Sequence, residues 1–249
     1  MHMISVIIFY IKREGVRMTP VIYGIRPGLI VSCQALPGES LHGSDIMARV
    51  ADAAERGGAV AIRANGAEDV RVIKRTVSIP VIGLIKRDYP DSEVYITPTL
   101  QEVDELHEAG ADMIALDATN RPRPQGCTLA GLLQHAAGLN LPCMADISTL
   151  EEAVQAEALG AACISTTLSG YTSYSPKMNG PHLELVREAA QAVGIPLMAE
   201  GRISEPAQVE QALRLGAYAV VVGSAITRPQ WITARFAEAA AKVVTLERQ

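Results

Sequence analysis

Aromatic and charged side chains are both scarce in this sequence of 249 residues. Aromatic residues make up 4% of the chain and charged residues 20%. The 22 Lys+Arg are outnumbered by 27 Asp+Glu, so the formal net charge is -5. Since a nucleic-acid backbone is bound through an excess of positive charge, we expect no nucleic-acid partner.

Closely spaced cysteines and long apolar runs are also lacking. The cysteines, three of them within apolar runs, show no C-x-x-C spacing, which favours a reducing compartment. The histidines at 42, 107, 135 and 182 have no ligand spacing, so we expect no bound metal. The segment Ile4–Ile11 is too short for a bilayer, which needs about 20 apolar residues, and it lacks the features of a signal peptide. We therefore expect a cytoplasmic protein with no membrane partner.

Eight short apolar runs recur along the chain, and each is followed by a helical pattern. Their residues are continuously apolar instead of alternating, which is typical of parallel strands covered on both faces. The predicted strands are Leu29–Ser32, Ala59–Arg63, Val81–Ile85, Met113–Leu116, Cys143–Ala145, Ala162–Ser165, Leu197–Ala199 and Ala219–Val222.

The residues between these runs repeat in pairs of units. Gly-Ala precedes the even-numbered strands from the second to the eighth, and an apolar residue followed by Pro precedes the third, fifth and seventh. Each Gly fits a left-handed helix C-cap, and Thr99 with Glu102 and Thr149 with Glu152 fit capping boxes. Eight such units predict a single (β/α)8 TIM barrel of the α/β class. The rival, a doubly wound sheet, would more often carry G-x-G-x-x-G after its first strand, where this chain has CQALPG.

The chemistry of such a barrel lies at the C-terminal ends of its strands, so polar residues that close the apolar runs are the candidates. They are Gln34, Arg63, Lys86, Asp117, Asp146, Thr166, Thr167, Glu200, Gly223 and Ser224.

Lys86 and Glu200 follow the third and seventh strands, which stand opposite one another in a ring of eight. A substrate between them would meet one titratable group on each face, as a two-base epimerisation requires, and desolvation would lower the pKa of the lysine. Arg63 and Gln34 would bind substrate oxygens. The alternatives stay open: Lys86 as a solvated loop lysine, Glu200 and Asp146 as structural carboxylates, and Arg63 as their ion-pair partner.

A phosphate site is expected at the last two strands. Gly201 and Arg202 follow the seventh strand, and Gly223 and Ser224 close the eighth, where barrels of this type commonly bind phosphate through backbone N–H groups. Arg228 adds a cation nearby. The alternative for each glycine is an ordinary tight turn.

Three further segments are interpreted structurally. Residues 168–182, rich in Gly, Ser and Tyr, fit a lid over the site or an ordinary mobile loop. The stiff basic segment Arg121–Pro124 is interpreted as surface. The helix that starts at Pro229 carries Ile232 and Phe236 on one stripe, which predicts core packing.

The chain resembles the N-acetylmannosamine-6-phosphate 2-epimerase family from Leu29 to about Ala240. The motifs that carry the resemblance are IVSCQALPGESL (30–41), AIRANG (61–66), VIGLIKRDY (81–89), YITPT (95–99), IALDAT (114–119), MADIST (144–149), ISTTLSGYT (164–172), AEGRI (199–203) and VVVGSAITRP (220–229). Residues 1–17 lie outside the family pattern, so we expect an N-terminal extension there and the barrel domain over residues 18–249.

The resemblance implies an isomerase, independent of any cofactor, that interconverts N-acetyl-D-mannosamine 6-phosphate and N-acetyl-D-glucosamine 6-phosphate in sialic acid catabolism. It implies that Lys86 and Glu200 exchange the C2 proton, and that Gln34, Arg63 and Asp146 bind and polarise the substrate. It also implies that the phosphate lies at Gly201, Arg202, Gly223, Ser224 and Arg228.

Two other functions compete with this one. In a Schiff-base phosphosugar aldolase, Lys86 would attack a substrate carbonyl. A non-catalytic phosphosugar-binding regulator would need no acid and base on opposite sides, so the presence of Lys86 and Glu200 argues against it. The apolar helix positions are compatible with a homodimer, and the sequence indicates no particular interface.

Overall fold

The computed structural model describes residues 22–246, which form a closed barrel of eight parallel strands with helices between them. The strands are β1 (Gly28–Cys33), β2 (Ala61–Asn65), β3 (Val81–Leu84), β4 (Met113–Asp117), β5 (Cys143–Asp146), β6 (Cys163–Ser165), β7 (Leu197–Glu200) and β8 (Ala219–Val222). The helices are α1 (Ser44–Arg56), α2 (Ala67–Thr76), α3 (Leu100–Glu108), α4 (Leu129–Gly138), α5 (Leu150–Ala158), α6 (Leu183–Ala192), α7 (Pro206–Arg214), α8 (Ser224–Thr227) and α9 (Pro229–Leu246), with a 3₁₀ turn at Pro124–Gly126.

Each predicted apolar run overlaps a strand, although β2 begins and ends two residues later than predicted, and β8 pairs with β1 to close the sheet. The (β/α)8 prediction is therefore confirmed, and the doubly wound alternative is wrong. The predicted extension, residues 1–17, lies outside the described residues.

Alternate residues of each strand point into the barrel, and this period of two builds its interior in layers. Ile30, Met113, Met144 and Met198 belong to the fully buried inner cluster. The outward-facing residues, such as Ile114, pack against the helices in a second cluster. Because both faces of every strand are covered, the strands are apolar without alternation.

The inner row becomes polar near the C-terminal ends of six strands, including Ser32 in β1 and Asp117 in β4. Asp146 lies two residues after Met144, and Glu200 lies two residues after Met198. Arg63 and Ser165 stand in the same relation to inner apolar residues of β2 and β6. The strand period thus gathers polar side chains in one layer at the mouth of the barrel.

The helix ends follow the sequence signals. The glycines before the even-numbered strands all have positive φ, namely 100° at Gly58, 82° at Gly110, 95° at Gly160 and 107° at Gly216. Both predicted capping boxes are present, at the starts of α3 and α5. These left-handed ends turn the chain from each helix back into the barrel.

The last helix does not pack as predicted. Phe236 is 74% exposed, and Val243 and Val244 are also exposed, so the core-packing interpretation of α9 is wrong. Arg228, between α8 and α9, precedes Pro229 and has φ -118° and ψ 88°, outside the helical region that proline disfavours in the preceding residue. The chain therefore changes direction at this residue, and the apolar stripe of α9 faces outward. Across residues 22–246, no helix has both the length and the apolar character needed to cross a membrane.

The basic segment after β4 is not a surface feature. Arg123 is 8% exposed, and the Nη2 of Arg121 donates to a carboxylate oxygen of Asp117 at 2.6 Å. Asp117 ends β4 and is fully buried. Its charge accounts for the inward orientation of Arg121, since a buried carboxylate needs a partner.

Candidate active site

A cavity of about 470 Å³ opens at the C-terminal ends of the strands. The predicted site residues that line it are Gln34, Arg63, Lys86, Glu200, Gly201, Arg202, Gly223, Ser224 and Arg228. Thr167 also lines it, whereas Asp117, Asp146 and Thr166 do not. Asp146 is fully buried and reaches the cavity through Arg63 and Thr167. Most of the site residues predicted from the strand ends therefore line one cavity.

Arg63 is the centre of an ion-pair cluster on the floor of this cavity. It is 1% exposed, its Nη2 donates to Asp146 and its Nη1 donates to Glu200. The alternative in which Arg63 pairs with these carboxylates is therefore the arrangement found. Burial lowers the pKa of Arg63, but the charges of Asp146 and Glu200 outweigh burial and raise the pKa above its ordinary value.

Asp146 is the most deeply placed acid of the cluster. Burial raises the pKa of its carboxyl to about 7, although the charge of Arg63 acts in the opposite direction. The buried position follows from β5, where Asp146 pairs in register with Asp117 on one side and Ser165 on the other. The carboxyl of Asp146 can therefore be either protonated or ionised near neutral pH.

Hydroxyl groups at the end of β6 hold the two acids in place. The Oγ1 of Thr167 lies 2.7 Å from Asp146 Oδ1 and 3.0 Å from Glu200 Oε2, and it accepts from Arg63 Nη1 at 3.0 Å. Thr166 fixes the backbone of Glu200, since its hydroxyl donates to the carbonyl at 2.8 Å and accepts from the amide at 3.0 Å. Together these contacts leave Glu200 little freedom to reorient.

Thr166 and Thr167 were predicted at the end of the sixth strand without an assigned role, and Ser165 was not predicted. The Oγ of Ser165 lies 2.8 Å from Thr167 Oγ1 and 3.3 Å from Glu200 Oε2. Its position two residues after the inward Cys163 is the signal that would have identified it.

Lys86 faces this cluster from the opposite side of the ring. It follows β3, and β3 and β7 are four strands apart in the closed barrel. Its backbone N–H donates to Asn65 Oδ1 at 2.9 Å, whereas its ammonium has no hydrogen bond within residues 22–246. Burial lowers the pKa of Lys86, and the charge of Arg63 adds to this effect. The side chain is half-buried and lines the cavity, so it is not the solvated loop lysine of the alternative.

The remaining predicted ligands lie around the rim. The Nε2 of Gln34 donates to Ser32 Oγ at 2.9 Å. Arg202 donates to the carbonyl of Ser169 at 2.8 Å, and Arg228 pairs with Glu39 at 3.1 Å. Both guanidinium groups therefore have protein partners while they line the cavity.

The backbone after β7 is left-handed at two successive residues, and the backbone after β8 leads directly into a short helix. Gly201 has φ 110°, Arg202 has φ 55°, and Gly223 is the residue before α8. Such segments direct backbone N–H groups toward a bound anion when they face a cavity.

The loop of residues 168–182 covers one side of the cavity through Leu168, Tyr171 and Asn179. The guanidinium of Arg202 lies 4.4 Å from the centre of the Tyr171 ring. Within the loop, the Oγ of Ser175 accepts from the amide of Gly170 at 2.8 Å. The loop is thus positioned over the site, as a lid would be; whether it moves stays a prediction.

No metal centre is recognisable in the described part of the chain, where no group of three or more His, Cys, Asp or Glu is placed to hold an ion. Cys33, Cys143 and Cys163 are buried. Burial raises the pKa of both Cys33 and Cys143 to about 12, so these thiols are neutral packing groups.

Comparison with known proteins identifies the family. A family model described as "Putative N-acetylmannosamine-6-phosphate epimerase" matches residues 47–242. The chain belongs to this epimerase family. A relative from Caldanaerobacter subterraneus subsp. tengcongensis, named as an N-acetylmannosamine-6-phosphate 2-epimerase, is 56% identical over 218 residues, which cover 87% of this chain and 92% of that one. A relative of the same name from Clostridium perfringens is 54% identical, covering 86% of this chain and 97% of its own.

A solved structure agrees with this assignment. The N-acetylmannosamine-6-phosphate 2-epimerase from Clostridium perfringens superposes with a TM-score of 0.86 at 51% identity, covering 91% of this chain and 99% of that one. The thiamine phosphate pyrophosphorylase from Pyrococcus furiosus, at 20% identity and a TM-score of 0.57, shares the fold alone. The epimerase family assignment therefore rests on both sequence and structure.

Proposed function

We propose that this protein interconverts N-acetyl-D-mannosamine 6-phosphate and N-acetyl-D-glucosamine 6-phosphate in sialic acid catabolism. Lys86 and Glu200, facing one cavity from opposite sides of the barrel, are the observation that carries the proposal. Inversion at a carbon needs a proton removed from one face and another delivered to the opposite face. The names of the relatives supply the substrate.

The proton at C2 is acidic in the ring-opened sugar, because C2 is next to the C1 aldehyde. One of Lys86 and Glu200 removes it, an enolate forms, and the other group returns a proton from the far side. The lowered pKa of Lys86 makes a neutral amine accessible as the base. In the reverse direction the ammonium is the acid and the glutamate is the base.

The enolate oxygen needs a donor or a positive charge nearby. We assign this role to the Lys86 ammonium formed on proton transfer, with the Gln34 side chain as a further donor in the same cavity. Arg63 acts through its charge and through its hold on Asp146 and Glu200, because both terminal nitrogens of its guanidinium already donate to these acids.

The phosphate end of the substrate is assigned to the part of the rim that follows β7 and β8. Backbone N–H groups at Gly201 and Gly223, the hydroxyl of Ser224 and the cations Arg202 and Arg228 line that part of the cavity. A doubly charged phosphate would compete with Glu39 for Arg228, since the two anions need the same guanidinium. We include in the proposal that no cofactor takes part and that the protein is cytoplasmic.

We also propose that the protein is a homodimer. The exposed apolar side chains of α9, including Trp231, Phe236 and Val243, form a surface that a second copy of this chain would cover. The other long helices each bury apolar residues. In α9, by contrast, every residue from 229 to 244 except Ile232 is exposed. A symmetric pair of such helices would bury both stripes.

Paired variants test the catalytic assignment. Lys86→Ala and Glu200→Gln should each lower epimerisation, followed by proton NMR, by at least about 100-fold. Lys242→Ala and Glu184→Gln remove the same groups from exposed helix positions and should retain wild-type turnover. Undiminished turnover in Lys86→Ala or Glu200→Gln would contradict the assignment. Borohydride trapping of a covalent adduct on Lys86 would instead support the aldolase.

A further inference from the structure

The hydroxyl of Thr167 has more polar neighbours than it can satisfy at once. Its oxygen lies 2.7 Å from Asp146 Oδ1 and 3.0 Å from Glu200 Oε2. It also accepts from Arg63 Nη1 at 3.0 Å, and Ser165 Oγ stands at 2.8 Å. A threonine hydroxyl has one proton and two acceptor lone pairs. Arg63 fills one lone pair, and the Ser165 proton can turn either to Thr167 or to Glu200 Oε2 at 3.3 Å. The single proton of Thr167 is therefore left for two carboxyl groups.

Two arrangements of this cluster satisfy every group. In one, Asp146 is ionised and receives the Thr167 proton. In the other, Asp146 is protonated and donates to the second lone pair of Thr167. The Thr167 proton then turns to Glu200, and the Ser165 proton points to Glu200 Oε2 as well, so Thr167 still accepts only two hydrogen bonds. The two arrangements differ only in where protons lie, because none of the heavy atoms has to move.

We propose that Thr167 is a positioning residue that relays a proton between the buried Asp146 and Glu200. In the relay, the Asp146 O–H bond breaks as its proton passes to Thr167 Oγ1, and the original Thr167 O–H bond breaks as that proton passes to Glu200 Oε2. One proton moves from Asp146 to Glu200, Thr167 ends with the same number of protons, and no electron is transferred. Asp146 thereby returns a proton to Glu200 from inside the protein, although Asp146 does not line the cavity itself.

The surrounding titratable groups leave this proton on the two acids. Asp146 and Glu200 face Arg63 and Lys86, and Asp146 also faces Tyr95 and Cys163. Burial raises the pKa of both Tyr95 and Cys163, so each is neutral near pH 7. The raised pKa of Asp146 allows it to hold a proton in the same range.

The inference rests on the proposed epimerase activity, so the test starts from wild-type turnover. With N-acetylmannosamine 6-phosphate as the probe, Thr167→Val should lower kcat about tenfold or more and change KM by less than about threefold. Thr167→Ser keeps the hydroxyl and should stay within about threefold of wild type. Loss of the donated hydrogen bond should also raise the pKa of Asp146, which is about 7 in the wild type. The dependence of kcat on the Asp146 proton should therefore move to higher pH in the valine variant alone.

Thr99→Val is the matched control. The hydroxyl of Thr99 also donates to a buried carboxylate, that of Glu102 at 2.6 Å, but this pair caps α3 outside the cavity. The control should lower the melting temperature and leave kcat and the pH profile unchanged. Comparing Thr99→Val with Thr167→Val therefore separates the structural effect of losing a buried hydroxyl from the loss of proton transfer.

A double-variant cycle then tests the coupling to Asp146. Asp146→Asn cannot carry the proton, so the Thr167→Val/Asp146→Asn variant should be no slower than the slower single variant. Multiplicative losses, an unchanged pH profile in Thr167→Val, or equal losses in Thr167→Val and Thr167→Ser would overturn the proposal. Thr167→Cys, with a weak donor, replaces the valine variant if that variant does not fold. An inactive wild-type protein would refute the proposed function instead.

Discussion

Replacing Arg63 with Met removes the cation that bridges two inward carboxylates, and this variant probes the centre of the structure. Arg63 is 1% exposed, and Asp146 is fully buried. Removing one partner of a buried ion pair costs about 3–5 kcal/mol, because the remaining charge stays buried without compensation. We therefore expect Arg63→Met to be among the most destabilising single substitutions in the barrel.

The cost should depend on pH, since Asp146 escapes it by taking up a proton. Its pKa is raised to about 7 in the folded wild type and should rise further once Arg63 is gone. A carboxyl with a raised folded pKa binds protons more tightly in the folded state, so stability falls as pH rises toward that pKa. Between pH 6 and 8, a carboxyl with a folded pKa of about 7, as in the wild type, lowers the free energy of unfolding by about 1.4 kcal/mol. A carboxyl that stays protonated in the folded state over this range lowers it by about 2.7 kcal/mol.

Urea denaturation at pH 6 and pH 8 measures this difference. Arg63→Met should lose up to about 1.3 kcal/mol more than wild type over that range, and adding Asp146→Asn should abolish the excess. Arg71→Met, which breaks an exposed pair with Glu68, is the control and should change stability by less than about 1 kcal/mol. An equal loss at both pH values, or a loss as small as the control's, would show that Arg63 does not compensate a buried charge on Asp146.

Three further predictions concern the rim, the fold and the last helix. Arg228→Ala should raise KM about tenfold for the phosphorylated sugar and change turnover of unphosphorylated N-acetylmannosamine much less, in steady-state assays of both. Gly83→Ala should lower the free energy of unfolding by about 1–3 kcal/mol in urea, because an added Cβ would stand 2.8 Å from Leu106. Phe236→Asp should shift the protein toward monomer in sedimentation velocity, and an unchanged sedimentation coefficient would contradict the proposed α9 interface.

The pH dependence of the reaction follows from the pair that exchanges the proton. Lys86 and Glu200 must together hold one proton at the start of a turnover in either direction, so kcat/KM should be bell-shaped for both substrates. Because burial lowers the pKa of Lys86, the alkaline limb should lie below the ordinary lysine value of 10.5. An alkaline limb at or above that value in a pH series would contradict the role of Lys86.

Much of the fold was predictable because parallel strands buried on both faces leave a strong signal. The apolar runs, their Gly-Ala and Pro boundaries and the capping boxes at Thr99 and Thr149 all coincide with elements of the barrel. The position of α9 was not predictable in the same way. An apolar stripe such as that of Ile232 and Phe236 shows only that a helix face needs cover, not which surface provides it.

Most of the candidate site was predictable from where strands end, whereas its internal contacts were not. Lys86 and Glu200 were placed on opposite sides by counting strands. The choice between Arg63 as a substrate ligand and as an ion-pair partner depends on side-chain reach across the barrel, which a linear pattern does not contain. The role of Thr167 is hidden for the same reason, since its partners Asp146 and Glu200 come from neighbouring strands distant in sequence.

A proton NMR time course of N-acetylmannosamine 6-phosphate with the purified protein in D2O tests two-base epimerisation directly. The N-acetylglucosamine 6-phosphate epimer should appear with deuterium at C2, because the exchanging groups equilibrate with solvent. Loss of the C2 signal without the epimer would show enolisation by a single base and contradict the two-base assignment. An unchanged spectrum over hours would contradict the proposed activity itself.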